Sequence, residues 1–71
     1  MQRHTTTIPK AAVARILTKM GAKRVSDSAA KALSDVVEKI TLDIASKSVE
    51  LAHHSKRKTV MEEDIKLAVK E

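Results

Sequence analysis

From Ser26 to Ser55 the chain runs for about thirty residues without Gly or Pro, with apolar or small side chains recurring at helical spacing. At ~1.5 Å rise per residue, a helix of that length measures roughly 45 Å. A compact globule made from all 71 residues has a radius of gyration of only about 11 Å, so a diameter of about 30 Å. One straight helix therefore overshoots any sphere the chain can fill. Either it kinks, or a second copy of the chain covers it, and the second solution is the expected one.

The totals agree with a need for a partner. The chain makes at most one small domain, and it has no Cys to staple that domain and no Phe, Tyr or Trp to fill it. A core must come from Ala, Val, Ile, Leu and Met, and chains this small bury a modest fraction of their surface. A formal net charge of +5 and a pI near 9.8 point to a polyanion or anionic surface as partner. Charged residues of both signs make up 32%, which an ordinary soluble helical protein also shows. No apolar run approaches ~18 residues, so no membrane span is expected. The start, Met1-Gln2-Arg3-His4-Thr5-Thr6-Thr7, has no apolar signal-peptide core, and with the missing Cys this leads to a cytoplasmic location as the expectation.

Residues 1–7 read as a short polar, flexible tail in which Arg3 and His4 have phosphate contact as their sharpest role and fraying as their plainest. Residues 8–71 form the domain. Pro9 suits a first helical position with Thr7 or Ile8 near the cap, and Val13, Ile16, Leu17 and Met20 make one apolar stripe, so a short helix is predicted over about 9–20. Gly21 supplies a left-handed stop. After Ala22-Lys23-Arg24-Val25, Ser26 is a good N-cap and Asp27 sits well in the first turn; Ala29 leaves no capping box. In the long helix Ala29, Leu33, Val36, Val37, Ile40, Ile44, Ser48 and Leu51 form one face. Ala30, Leu42, Ala45, Val49 and Ala52 fall largely outside it, a breadth that implies neighbours on more than one side. Lys56-Arg57-Lys58-Thr59-Val60 interrupts the pattern. A third helix over about 61–70 starts with Glu62, Glu63 and Asp64, where the dipole favours anions, with Ile65, Ala68 and Val69 inward.

Catalytic chemistry has little to stand on. His53 and His54 are adjacent, about 100° apart on a helix, and no third Cys or His lies at ligand spacing, so neither a metal nor a cofactor is expected. Ser26-Asp27-Ser28 reads as a cap, and the single Gly rules out a Gly-rich phosphate loop. No enzyme is expected. The basic residues say more. Lys23 and Arg24 lie at one end of the long helix, and Lys56, Arg57 and Lys58 at the other, about 40 Å apart by helical rise. If two chains cross with their long helices antiparallel, the first loop of one meets the second loop of the other and each end gains a joint basic cluster. The bland alternative is two unrelated solvated loops. Arg15, off the first apolar stripe, extends such a positive surface.

Arg24-Val25-Ser26-Asp27, Ile44-Ala45, Leu51-Ala52-His53-His54, Arg57-Lys58-Thr59-Val60 and Glu63-Asp64-Ile65, in that order and spacing over about residues 8–70, resemble the archaeal histones. The run Lys56–Val60 is also similar to a eukaryotic core histone. The resemblance implies an all-α histone fold (short, long, short) that forms a handshake dimer. It implies that Arg15 and Arg24 approach the minor groove, and that Lys58 and Thr59 contact phosphate, with Lys23 and Lys56 joining the DNA-binding set. Arg57 pairs with Asp64 to pin the second loop. Leu51, His54, Asp64 and Leu67 match the positions where dimers meet dimers, and Gly21 matches a small residue that lets dimers stack. Three features depart from the archaeal pattern: Lys56 where Gly is usual, Met61 as a poor cap, and a longer start with a third helix ending at Glu71.

By resemblance the function is sequence-nonspecific binding, bending and compaction of double-stranded DNA by a homodimer that assembles further on DNA, associated with the nucleoid. A heterodimer with another histone is the variant of that reading. The alternative is a histone-fold dimerisation module in a multiprotein transcription-type complex; the spread of basic residues over both loops and the first helix favours DNA. An amphipathic membrane binder is disfavoured by broken helices and the lack of interfacial aromatics. A charged His54 held by Asp64 across a dimer–dimer seam favours assembly at lower pH, with a neutral hydrogen-bonded His as the counter-reading.

Overall fold

The computed structural model describes residues 7–70. Among them are three helices and no strand: α1 (Lys10–Lys19), α2 (Asp27–His54) and α3 (Glu62–Lys70). The expected all-α order of short, long, short is what the chain adopts. Of the expected tail, residues 1–6, including Arg3 and His4, lie outside the described residues, as does Glu71. Two compact units divide the chain, Met1–Lys39 and Ile40–Glu71, and α2 contributes to both.

In the first unit, Pro9 is the N-cap of α1 and not its first helical residue, a correction to the expectation. Its backbone is extended (φ −65°, ψ 130°), and with no side-chain oxygen it makes no cap hydrogen bond. At the far end of α1, the N–H of Gly21 donates to the carbonyl of Thr18 and that of Ala22 to Leu17, both at 3.0 Å. This is the paired closure of a Schellman motif, which needs a left-handed residue; Gly21 provides it at φ +121°. The start of α2 is capped as expected: Ser26 Oγ accepts from the Ala29 N–H at 3.1 Å. The ammonium of Lys10 reaches both oxygens of Asp27, at 3.1 and 3.2 Å, joining the starts of α1 and α2.

In the second unit, α2 ends in another Schellman motif. The Lys56 N–H donates to His53 O at 2.8 Å and the Arg57 N–H to Ala52 O at 2.9 Å. Here the left-handed residue is Lys56, at φ +60°. A side chain bearing a Cβ costs roughly 1–2 kcal/mol in that conformation, and Gly does not.

The helix interiors are lined with small side chains. Val13 is the one buried large aliphatic among the described residues; with it are Ala30, Ala52, Ala68, Ser34, Ser48 and Asp64. Ser34 Oγ donates to Ala30 O at 2.9 Å and Ser48 Oγ to Ile44 O at 2.7 Å, so neither buried hydroxyl is orphaned. On α2 this corrects the expected inward face. Ala30, Ser34, Val37, Ile44, Ser48 and Ala52, at steps of three, four or seven, are buried or half-buried, whereas Ala29, Val36 and Ile40 are exposed. Small residues let helices approach closely, and the larger ones are left facing outward. Eleven large apolar side chains are exposed among the described residues, including Ile40 (56%) and Leu42 (60%) on α2 and Val69 (62%) on α3. Full burial of one such side chain is worth about 1.5–3 kcal/mol, so the chain alone leaves most of its hydrophobic driving force unused.

Candidate nucleic-acid interface

The cations fall into two sets. Lys31 pairs with Asp35, Lys47 with Asp43 and Lys66 with Glu62, each one helical turn away, contacts worth about 0.3–0.5 kcal/mol apiece. Lys10 and Arg57 are also paired, with Asp27 and Asp64. The second set forms no ion pair among the described residues. It comprises Arg15 and Lys19 on α1, Lys23 and Arg24 in the first loop, Lys56 and Lys58 in the second, and Lys39 and Lys70 elsewhere, all exposed. Six of these eight are on α1 or in the loops.

On α1, Arg15 and Lys19 border an open groove floored by Ala12, Ala14, Ile16 and Thr18. Lys19 was not expected to take part, because its place one turn beyond Arg15 shows only once the helix is laid out. Lys23 and Arg24 follow in the extended segment between Gly21 and the Ser26 cap. A Cβ built on Gly21 meets nothing within 4 Å, so the backbone's left-handed φ, and not crowding within the chain, accounts for the missing side chain there.

The second loop is held by one side chain. Arg57 donates from Nη1 to Asp64 Oδ2 at 2.9 Å and from Nη2 to Asp64 Oδ1 at 3.0 Å. The same Nη1 also donates to the carbonyl of Thr59 at 3.1 Å. With its own N–H on Ala52, Arg57 ties the end of α2, the loop and the start of α3 together. Asp64 has a second duty: its Oδ2 accepts from the Met61 N–H at 2.8 Å, half of a capping box written from the acid's side. Met61, a poor cap by its own side chain, is thus served by the acid three residues on. That signal was present in the sequence as an acid at the third helical position. The hydrogen bonds from Arg57 and then from the Met61 N–H hold the Asp64 carboxyl below the usual carboxylate range, and Asp64 in turn raises the Arg57 guanidinium. So pinned, the loop leaves Lys58 and Thr59 exposed.

The four residues expected where dimers meet, Leu51, His54, Asp64 and Leu67, all lie in the Ile40–Glu71 unit. His54 and Leu67 are exposed and Leu51 is half-buried. The Asp64 side chain is only 6% exposed and already accepts three hydrogen bonds, so it has little capacity left for His54 of a neighbouring dimer. No group of three or more His, Cys, Asp or Glu among the described residues can hold a metal ion, and no described helix is long and apolar enough to cross a membrane.

A short–long–short trio of helices, its second loop locked to the third helix by an arginine–aspartate fork, is a histone fold. Residues 6–69 match the family described as histone-like transcription factor (CBF/NF-Y) and archaeal histone. The chain belongs to that family. Over 63 residues it is 52% identical to probable archaeal histone 3 of Methanocaldococcus jannaschii, covering 89% of this chain and 94% of that protein. It is also 46% identical over 63 residues to one of the subunits of archaeal histone HAN1 from Thermococcus zilligii, with the same two coverages.

Proposed function

We propose that two copies of this chain pair through their exposed apolar faces and bind duplex DNA along the combined basic surface, bending it without reading its sequence. The observation that carries this reading is the sorting of the cations. Lysines on the outer helical surfaces are largely neutralised by their own neighbours, whereas the exposed cations of α1 and the two loops are left without a carboxylate. Arg15 and Arg24 enter or approach the minor groove, while Lys23, Lys56, Lys58 and Thr59 contact phosphates. Histone octamers wrap DNA in this way, with minor-groove arginines and no base-specific contacts. Sequence preference then reflects how cheaply a site bends. Further dimers join on the DNA through Leu51, His54, Asp64 and Leu67, and stack where Gly21 leaves room, compacting the chromosome in the nucleoid. The protein acts by binding and shaping, not by catalysis.

The test is affinity for random-sequence duplex against salt. Neutralising about 6–10 phosphates lowers affinity ~10³–10⁵-fold between 50 and 200 mM salt. Arg15→Ala and Lys58→Ala weaken binding to all sequences alike; a salt-insensitive affinity, or a loss confined to one sequence, sinks the proposal. Nuclease digestion of the complex gives protected lengths rising in regular steps if dimers stack, and one fixed length if the particle closes. A second reading, a heterodimer with another histone, is favoured because one relative is named as part of a multi-subunit histone; a soluble, stable homodimer opposes it.

A further inference from the structure

The chain closes two helices with the same motif and fills its critical position differently. At the end of α1 the left-handed residue is Gly21 and at the end of α2 it is Lys56. Both motifs make the same two closing hydrogen bonds, so nothing in the hydrogen-bond pattern asks for a side chain at the second one. A residue held in a sparsely populated conformation that Gly would adopt freely is a pointer to function. Lys56 is exposed and makes no ion pair among the described residues. It immediately precedes Arg57, whose guanidinium is spent on Asp64, and stands two residues before Lys58, the other unpaired cation of the loop.

We infer that Lys56 is a phosphate-binding residue kept at a cost to the fold: its ammonium adds a DNA phosphodiester contact at the second loop, and its backbone makes the chain less stable than it would be with Gly. The inference rests on the DNA-binding reading above and adds to it an opposition between stability and affinity at one position. The rival explanation is local. A cation at a helix C-terminus favours the dipole, and that alone would hold Lys56 in place with no part for DNA.

Three variants separate the two. Lys56→Gly and Lys56→Asn both relieve the left-handed strain and remove the charge. Each is expected to raise the melting temperature, Lys56→Gly by roughly 4–8 °C. Each also makes the slope of log affinity against log salt shallower by about 1.8 per dimer, because two contacts of about 0.9 are lost. Lys56→Arg keeps the charge and the strain, and leaves both readouts near those of the parent. A Lys56→Gly protein that melts higher but binds duplex DNA with an unchanged slope overturns the phosphate contact. One that melts lower overturns the backbone cost and supports the dipole explanation. Lys58→Ala serves as the reference. If it flattens the salt slope and Lys56→Gly does not, only the inference about Lys56 fails. If the parent protein does not bind duplex DNA at all, the functional reading fails and takes this one with it.

Discussion

The guanidinium of Arg57 meets the carboxylate of Asp64 in a two-pronged contact at 2.9 and 3.0 Å. The same carboxylate caps α3 through the Met61 N–H, so one acid both pins the second loop and starts the helix that follows it.

That double duty sets a pH dependence. The Asp64 carboxyl is held below its ordinary value by Arg57 and by the Met61 N–H, whereas in the unfolded chain it titrates at about 3.9. A depressed folded-state value stabilises fully above the unfolded value, and that stabilisation is lost as pH falls through the lower, folded one. Arg57 stays protonated throughout and adds no slope in that window. Asp64→Asn should melt below the parent at pH 7, and the gap should close as pH drops below about 4. Melting curves from pH 7 to pH 2 measure it, and a gap that persists unchanged to pH 2 contradicts the role of the charge.

Ser26 caps α2 with its hydroxyl on the Ala29 N–H. Replacing such a cap by Ala costs about 1 kcal/mol, or roughly 4–8 °C in a domain of this size. Ser26→Asp, an equally good cap, restores it. Equal melting temperatures for Ser26→Ala and the parent would show that the cap is idle.

Gly21 has two candidate reasons to be Gly, and Gly21→Ala separates them. The backbone reason, φ +121°, makes the substitution cost about 1–2 kcal/mol even though the space around it is open. A lower melting temperature with an unchanged nuclease ladder assigns the residue to the turn. An unchanged melting temperature with a shortened ladder assigns it to stacking.

The exposed apolar side chains predict that folding and association are one event. The melting temperature should rise with protein concentration, as it does when only the assembled form is folded. Ile40→Glu, at an exposed apolar position on α2, should drive the protein to an unfolded monomer, while Lys39→Glu beside it should not. A concentration-independent melting temperature, with a folded monomer in sedimentation, refutes the pairing.

Local features were legible in the sequence because their causes are local. Ser26, Gly21 and the breaks between the helices depend on a few neighbouring residues and fall within a residue or two of where they were expected. Pro9 was misplaced by one step because its fixed φ suits the cap as well as the first turn. Features joining distant positions were harder to see. The Lys10–Asp27 pair spans seventeen residues, and no periodicity announces it. The inward stripe was misread for a physical reason: hydrophobicity ranks Val36 and Ile40 above Ser34, but hydrophobicity shows what must be covered and not which chain covers it. The loop cations were legible as charges. Only the pairing of the other lysines picked out those still available to a polyanion.

Ser34 and Ser48, sealed inside and bonded to their own helix, bear on how the protein tolerates change. An interior of Ala and Ser has almost no volume to lose, so truncating its side chains cannot open the large cavities that ruin most cores. Substitutions that enlarge them are the dangerous ones, because close-packed helices have no slack to absorb a methylene. Mutational fragility is thus displaced from the inside of the chain to its outside, onto Val36, Ile40, Leu42 and Val69, where a defect becomes visible only in the company of another molecule.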